Sequence, residues 1–149
     1  GDNVNKPNKG AHNLVIDGCT FEGSFGNDGG VAIAFTDQRR GEGGSGNVTI
    51  KNCAFRTQGG YADIYGHYCG DGNNGHGDFV ITGNIFESTY ALSTGCYPVY
   101  LGRYASSTPV VVTGNTFEKC ANIGEAAYIQ AHSSAYTVSF DASNNTFAN

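Results

Sequence analysis

The sequence predicts an all-β fold, a solenoid of about five coils with three short strands per coil. Three observations carry this. One strand-turn-strand pattern recurs five times, a second type of strand recurs between its copies, and no segment shows helical periodicity. Composition agrees. Among 149 residues there are 23 Gly and no Met or Trp, and Val and Ile greatly outnumber Leu, which suits pleated surfaces rather than helices. Charged residues are 14% of the chain, against roughly 25% in an ordinary soluble domain. A helical bundle and a coiled coil are excluded. So is disorder, because 39% apolar and 12% aromatic residues suffice for a core.

The first copies of the pattern are Asn13–Phe21 (NLVIDGCTF) and Asn47–Phe55 (NVTIKNCAF), followed by Asp78–Phe86 (DFVITGNIF) and Pro109–Phe117 (PVVVTGNTF). The fifth, Thr137–Phe147, reads as the same pattern with two extra residues. The five Phe positions are 34, 31, 31 and 30 residues apart. Alternation places Leu14/Ile16, Val48/Ile50, Phe79/Ile81, Val110/Val112 and Val138/Phe140 on one face. Phe21, Phe55, Phe86, Phe117 and Phe147 then form an inward column. Gly or Asn in each turn permits backbone angles that other residues resist.

The second strand type is Val31–Thr36, Asp63–Tyr68, Val99–Tyr104 and Tyr128–Ser133. Alternation turns Ile33, Ile64, Tyr100 and Ile129 inward, with Phe35, Gly66, Gly102 and Ala131 two positions later. The outward columns are Ala34/Tyr65/Leu101/Gln130 and Thr36/His67/Arg103/His132. An antiparallel sandwich would place hairpins between strands, but not five like turns in one phase. The domain boundaries follow: residues 1–11 form an N-terminal extension and 12–149 a single repeat domain.

The V-x-I-x-G-N-x-F pattern resembles the right-handed parallel β-helix proteins of the pectate-lyase-like superfamily, over residues 12–149. That superfamily includes polysaccharide lyases and hydrolases, phage tailspikes and bacterial surface adhesins. The resemblance implies an internal hydrogen-bonded ladder of Asn84, Asn115 and Asn145, from which Cys19 and Cys53 depart in the first two coils. It speaks to fold, because these residues build the coil and carry no chemistry of their own.

Five Cys cannot all pair within one chain. Cys19 and Cys53 share a column of adjacent coils, close enough for a disulfide or for two stacked, buried thiols. Cys96 and Cys120 occupy matching loops and are candidates for a loop staple, which leaves Cys69 as the odd residue. The loop that contains Asp71 and Asp78 is rich in oxygen ligands, so calcium is possible there, although the twelve-residue calcium-loop pattern fails. No other cofactor is implied.

The outward stripe of Tyr65, His67, Tyr68, Arg103, Tyr104, Gln130 and His132 is the candidate ligand face. Aromatic rings beside polar side chains suit stacking on sugar rings and hydrogen bonding to their hydroxyls. Lyases of the superfamily use an Arg or Lys base, which makes Arg103 the one residue suited to that role. Only Asp63 offers a carboxylate on the face, and hydrolases need two or three. Glu22, Glu87 and Glu118 recur just after the Phe column and read as exposed loop-entry residues.

The first expectation is therefore a non-catalytic extracellular module, adhesin-like or glycan-contacting. A polysaccharide lyase or hydrolase is the second and a self-stacking filament subunit the third. The net charge of −5 excludes a nucleic-acid footprint, and no apolar run is long enough to span a membrane as a helix. Open strand edges at the coil ends point to self-association or to flanking β-helix sequence. The polar opening reads as a mature or excised segment of something longer, and the low Lys and Glu content with many Gly, Asn and Tyr resembles secreted or cell-surface proteins.

Overall fold

A computed structural model of the chain describes residues 11–25, 30–36, 46–67, 79–90, 97–104, 109–118, 126–131 and 139–148. Every element among them is a strand, and every pairing is parallel. The strands stack in layers, an arrangement compatible with a β-solenoid. The first layer is β1 (His12–Asp17), β2 (Thr20–Ser24) and β3 (Val31–Thr36); the second is β4 (Gly46–Lys51), β5 (Ala54–Gly60) and β6 (Ala62–His67). The third comprises β7 (Phe79–Thr82), β8 (Ile85–Phe86), a short β9 (Thr89–Tyr90) and β10 (Tyr97–Tyr104). The fourth is β11 (Val110–Thr113), β12 (Thr116–Glu118) and β13 (Ala127–Ala131), and the fifth β14 (Phe140–Asp141) and β15 (Thr146–Ala148). Three sheets result, ordered β1-β4-β7-β11-β14, β2-β5-β8-β12-β15 and β3-β6-β10-β13, with β9 beside β5.

The tight turn between the first two walls sets the phase of each layer. Gly18, Asn52, Gly83, Gly114 and Asn144 stand three residues before the column Phe, and all five have a left-handed φ between 53° and 66°. That conformation is open to Gly and tolerated by Asn, which is why the turn selects these two residues. Behind the turn the Phe rings stack. Successive centroids from Phe21 to Phe117 are 4.9 Å apart at 6°, and Phe117 to Phe147 is 5.2 Å at 11°. Phe55, Phe79, Phe86, Ile50 and Ile81 are fully buried, so the core is one column of apolar side chains running through the layers.

The asparagine ladder forms as expected. Asn84 Nδ2 donates to Asn115 Oδ1 at 3.0 Å, and Asn115 Nδ2 donates to Asn145 Oδ1 at 3.2 Å. Each Oδ1 also accepts the backbone N–H of the layer before, from Cys53, Asn84 and Asn115 in turn, at 2.9 Å. The second amide hydrogen reaches Ile50, Ile81 or Val112 oxygen. These bonds satisfy the polar groups of a turn that faces the interior. Cys53 fills the equivalent slot in the second layer, with Sγ 3.1 Å from Lys51 oxygen.

The fifth layer corrects one expectation. Phe140 pairs with Val110 and Asp141 with Val111, so Phe140 stands seven residues before Phe147, as Val110 does before Phe117. There are no extra residues within the motif, and Phe140 takes the position assigned from sequence to Val138.

Candidate functional site

The third sheet carries the candidate face, and its register differs from the sequence expectation. Ile33 pairs with Ile64, Ile64 with Val99 and Val99 with Ala127. One residue on, Ala34, Tyr65, Tyr100 and Tyr128 form a single column. Val99 and Leu101 are fully buried and Tyr100 is half-buried. The assignment of Tyr100 inward and Leu101 outward is therefore reversed. A slip of one residue sends every side chain of a strand to the other face.

The corrected register gathers tyrosines. Tyr65, Tyr100 and Tyr128 are stacked, with centroids 5.1 Å apart and planes 6–7° from parallel. Tyr61 lies across this row, at 69° to Tyr65 and 64° to Tyr100. Tyr97 is tilted at 39° to Tyr100 and 37° to Tyr128. Gly102 makes room for the central ring, since a Cβ there would come within 2.6 Å of Tyr100 Cε1. Burial among neighbouring phenols pushes the Tyr100 hydroxyl above its ordinary value, so it stays protonated at neutral pH. In the row, ring faces are spent on one another, and the three rings are half-buried on the outer side of the sheet, flanked by two inclined rings.

Of the residues expected on this face, Tyr65 is half-buried in the row and Gln130 is exposed on β13. His67 pairs by backbone with Thr36 and Gly102, not with Arg103. Arg103 falls one position further along β10, and Tyr104 pairs with Ala131 after an irregularity. The side chains of His67, Arg103 and Tyr104, together with Tyr68 and His132, lie outside the described residues. Sequence reasoning missed Tyr61, Tyr97 and Tyr128. The signal was the repeated pairing of a core residue with a following Tyr at Ile64-Tyr65, Val99-Tyr100 and Ala127-Tyr128.

Asp63 is another correction. Expected on the outer face, it is fully buried at the corner between β5 and β6. Its Oδ1 accepts from Thr57 Oγ1 at 2.7 Å and Ser88 Oγ at 3.0 Å, and its Oδ2 accepts from the Tyr90 hydroxyl at 2.6 Å. Burial raises its pKa above the ordinary carboxylate value, against the opposing effect of the three hydroxyls. Enclosed in this way it cannot act on a ligand bound outside.

The remaining candidates are structural where they are described. The acidic column holds a cation: Arg56 Nε lies 2.6 Å from Glu87 and its Nη1 3.4 Å from Glu22. Cys19 and Cys53 are free thiols rather than a bridge, and burial pushes the Cys53 thiol upward. Cys69, Cys96 and Cys120, and the calcium candidates Asp71 and Asp78, lie outside the described residues. Among the described residues no three metal-ligating side chains converge, and no helix is long and apolar enough to cross a membrane. No protein-family model, curated protein or solved structure matches the chain.

Proposed function

We propose that the chain is a right-handed parallel β-helix of the pectate-lyase-like kind. In this reading it is a non-catalytic module of a secreted or cell-surface protein that contacts a polysaccharide or cell-surface glycan through the tyrosine face. The observation that supports this reading is the cluster of Tyr61, Tyr65, Tyr97, Tyr100 and Tyr128 on the outer side of one sheet. Half-buried tyrosines offer fixed hydroxyls and apolar ring edges at low entropic cost. Their repeat, one per layer, matches a polymer whose hydroxyls also repeat. The inward turn of Asp63 supports the non-catalytic part, since it takes away the carboxylate that sequence placed there.

A glycan array with wild type, Tyr100→Ala and Tyr128→Ala tests the reading. Wild type is expected to retain at least one polysaccharide class, with binding reduced about tenfold or more in both variants. No binding by wild type, or unchanged binding in both variants, would overturn it. Incubation with uronate polysaccharides tests the absence of catalysis, because release of unsaturated products would return the lyase reading.

A further inference from the structure

Five of the nine tyrosines form one connected group on the third wall, with each ring in contact with at least two others. Within it, Tyr61 and Tyr100 stand in a special relation. Their centroids are 5.6 Å apart at 64°, and the Tyr61 hydroxyl donates a hydrogen bond to the Tyr100 hydroxyl. The backbone holds the two in place from successive layers. Tyr97 N–H donates to the Tyr61 carbonyl at 3.0 Å, and Tyr100 pairs with Tyr65 in the sheet. Both rings are half-buried, so each keeps a solvent-facing part.

Connected phenols have an oxidative chemistry of their own. Loss of one electron and the hydroxyl proton leaves a phenoxyl radical, whose unpaired electron reaches the two ortho carbons, Cε1 and Cε2. Centroid separations of 5.1 to 6.3 Å let that radical pass from ring to ring within the group. Coupling is more selective, because it needs two ortho carbons to meet. In the stacked row the ladder holds Tyr65 and Tyr128 a full strand spacing from Tyr100, at 5.1 Å and nearly parallel. Tyr61 instead meets Tyr100 steeply, with the hydroxyls in contact, and the ortho carbons adjoin the carbons that bear those hydroxyls. Gly102 lies against Tyr100 Cε1, so coupling on that ring falls to Cε2.

We propose that Tyr61 and Tyr100 form an oxidative cross-linking site, at which a haem peroxidase with hydrogen peroxide joins the two rings as dityrosine. Each phenol gives up one electron and one proton. The two radicals pair to form a carbon–carbon bond between ortho carbons, and the ring hydrogens return to oxygen as aromaticity is restored. Hydrogen peroxide takes the two electrons and two protons and leaves as two waters. The product ties the second layer covalently to the third. It does not depend on the glycan reading, since the reaction needs no bound sugar.

The test treats the dilute chain with a haem peroxidase and hydrogen peroxide and isolates the monomer. The expected monomer has lost the mass of two hydrogen atoms and shows dityrosine fluorescence, and peptide mapping joins the segments that contain Tyr61 and Tyr100. Tyr61→Phe and Tyr100→Phe keep the ring without the hydroxyl, and each should abolish this product, whereas Tyr97→Phe should retain it. Unchanged monomer mass, a linkage mapped to another pair, or persistence of the product in Tyr61→Phe would overturn the proposal. So would cross-linked dimers as the sole product, because the radicals would then couple between chains.

Discussion

Asp63 shows how one side chain can be invisible to pattern and decisive for the corner it occupies. Its three hydroxyl partners come from positions 57, 88 and 90, and no local rule joins those positions to it. A folded-state pKa raised by burial means that the folded chain holds this proton more tightly than the unfolded chain. The resulting stability is present in full below the ordinary carboxylate value of about 3.9 and is lost as pH rises through the folded value. Chemical denaturation across this acidic range should therefore show wild type losing stability relative to Asp63→Asn as pH rises. Parallel profiles would remove Asp63 from the account. By contrast, the left-handed turn residues were legible one by one, because only Gly and Asn occupy that place in all five layers. Gly102 was legible as a glycine but not as a seat for a ring. Gly102→Ala should push the Tyr100 ring out of its place between Tyr65 and Tyr128, for about 1–3 kcal/mol. The expected signature is a changed tyrosine near-ultraviolet dichroism with the fold retained.

Between residues and fold stand the two internal columns, and both are legible in the sequence. The turn motif anchors both: a left-handed residue, then Asn or Cys, then Phe two positions later. The third wall has no such anchor, so its phase was set by alternation alone, and that slipped by one residue at Tyr100. In the fifth copy the turn and its Phe were correctly placed, but alternation started the strand at Val138, where the pairing starts it at Phe140. The columns make opposite predictions for interior and end. Phe86→Ala should cost roughly 3–5 kcal/mol, since a fully buried ring leaves a cavity between two stacked neighbours. Phe147→Ala, two-thirds exposed, should cost well under half as much. Asn115→Ala would orphan the Asn84 N–H and the Ile81 carbonyl in the interior. Each is a buried polar group, and the sum should be about 2–5 kcal/mol. Thermal unfolding of the three variants checks the order, and an equal loss at Phe86 and Phe147 would break it.

Across the whole molecule, the layers give each wall a different role. The first two walls are joined by a tight turn and are held by ladders inside, and their outward side carries the acidic column with Arg56. The third wall carries the tyrosine face, and an apolar cleft lies beside its last described strand. The glycan reading therefore rests on one structural claim, that the layers stack in parallel with Tyr65, Tyr100 and Tyr128 in a single outward column. Through-space proton contacts in solution test this most directly. The account predicts ring-to-ring contacts from Tyr65 to Tyr100 and from Tyr100 to Tyr128, with Leu101 methyl groups contacting only core side chains. Contacts between Leu101 and the Tyr65 ring, with Tyr100 in the core, would contradict it.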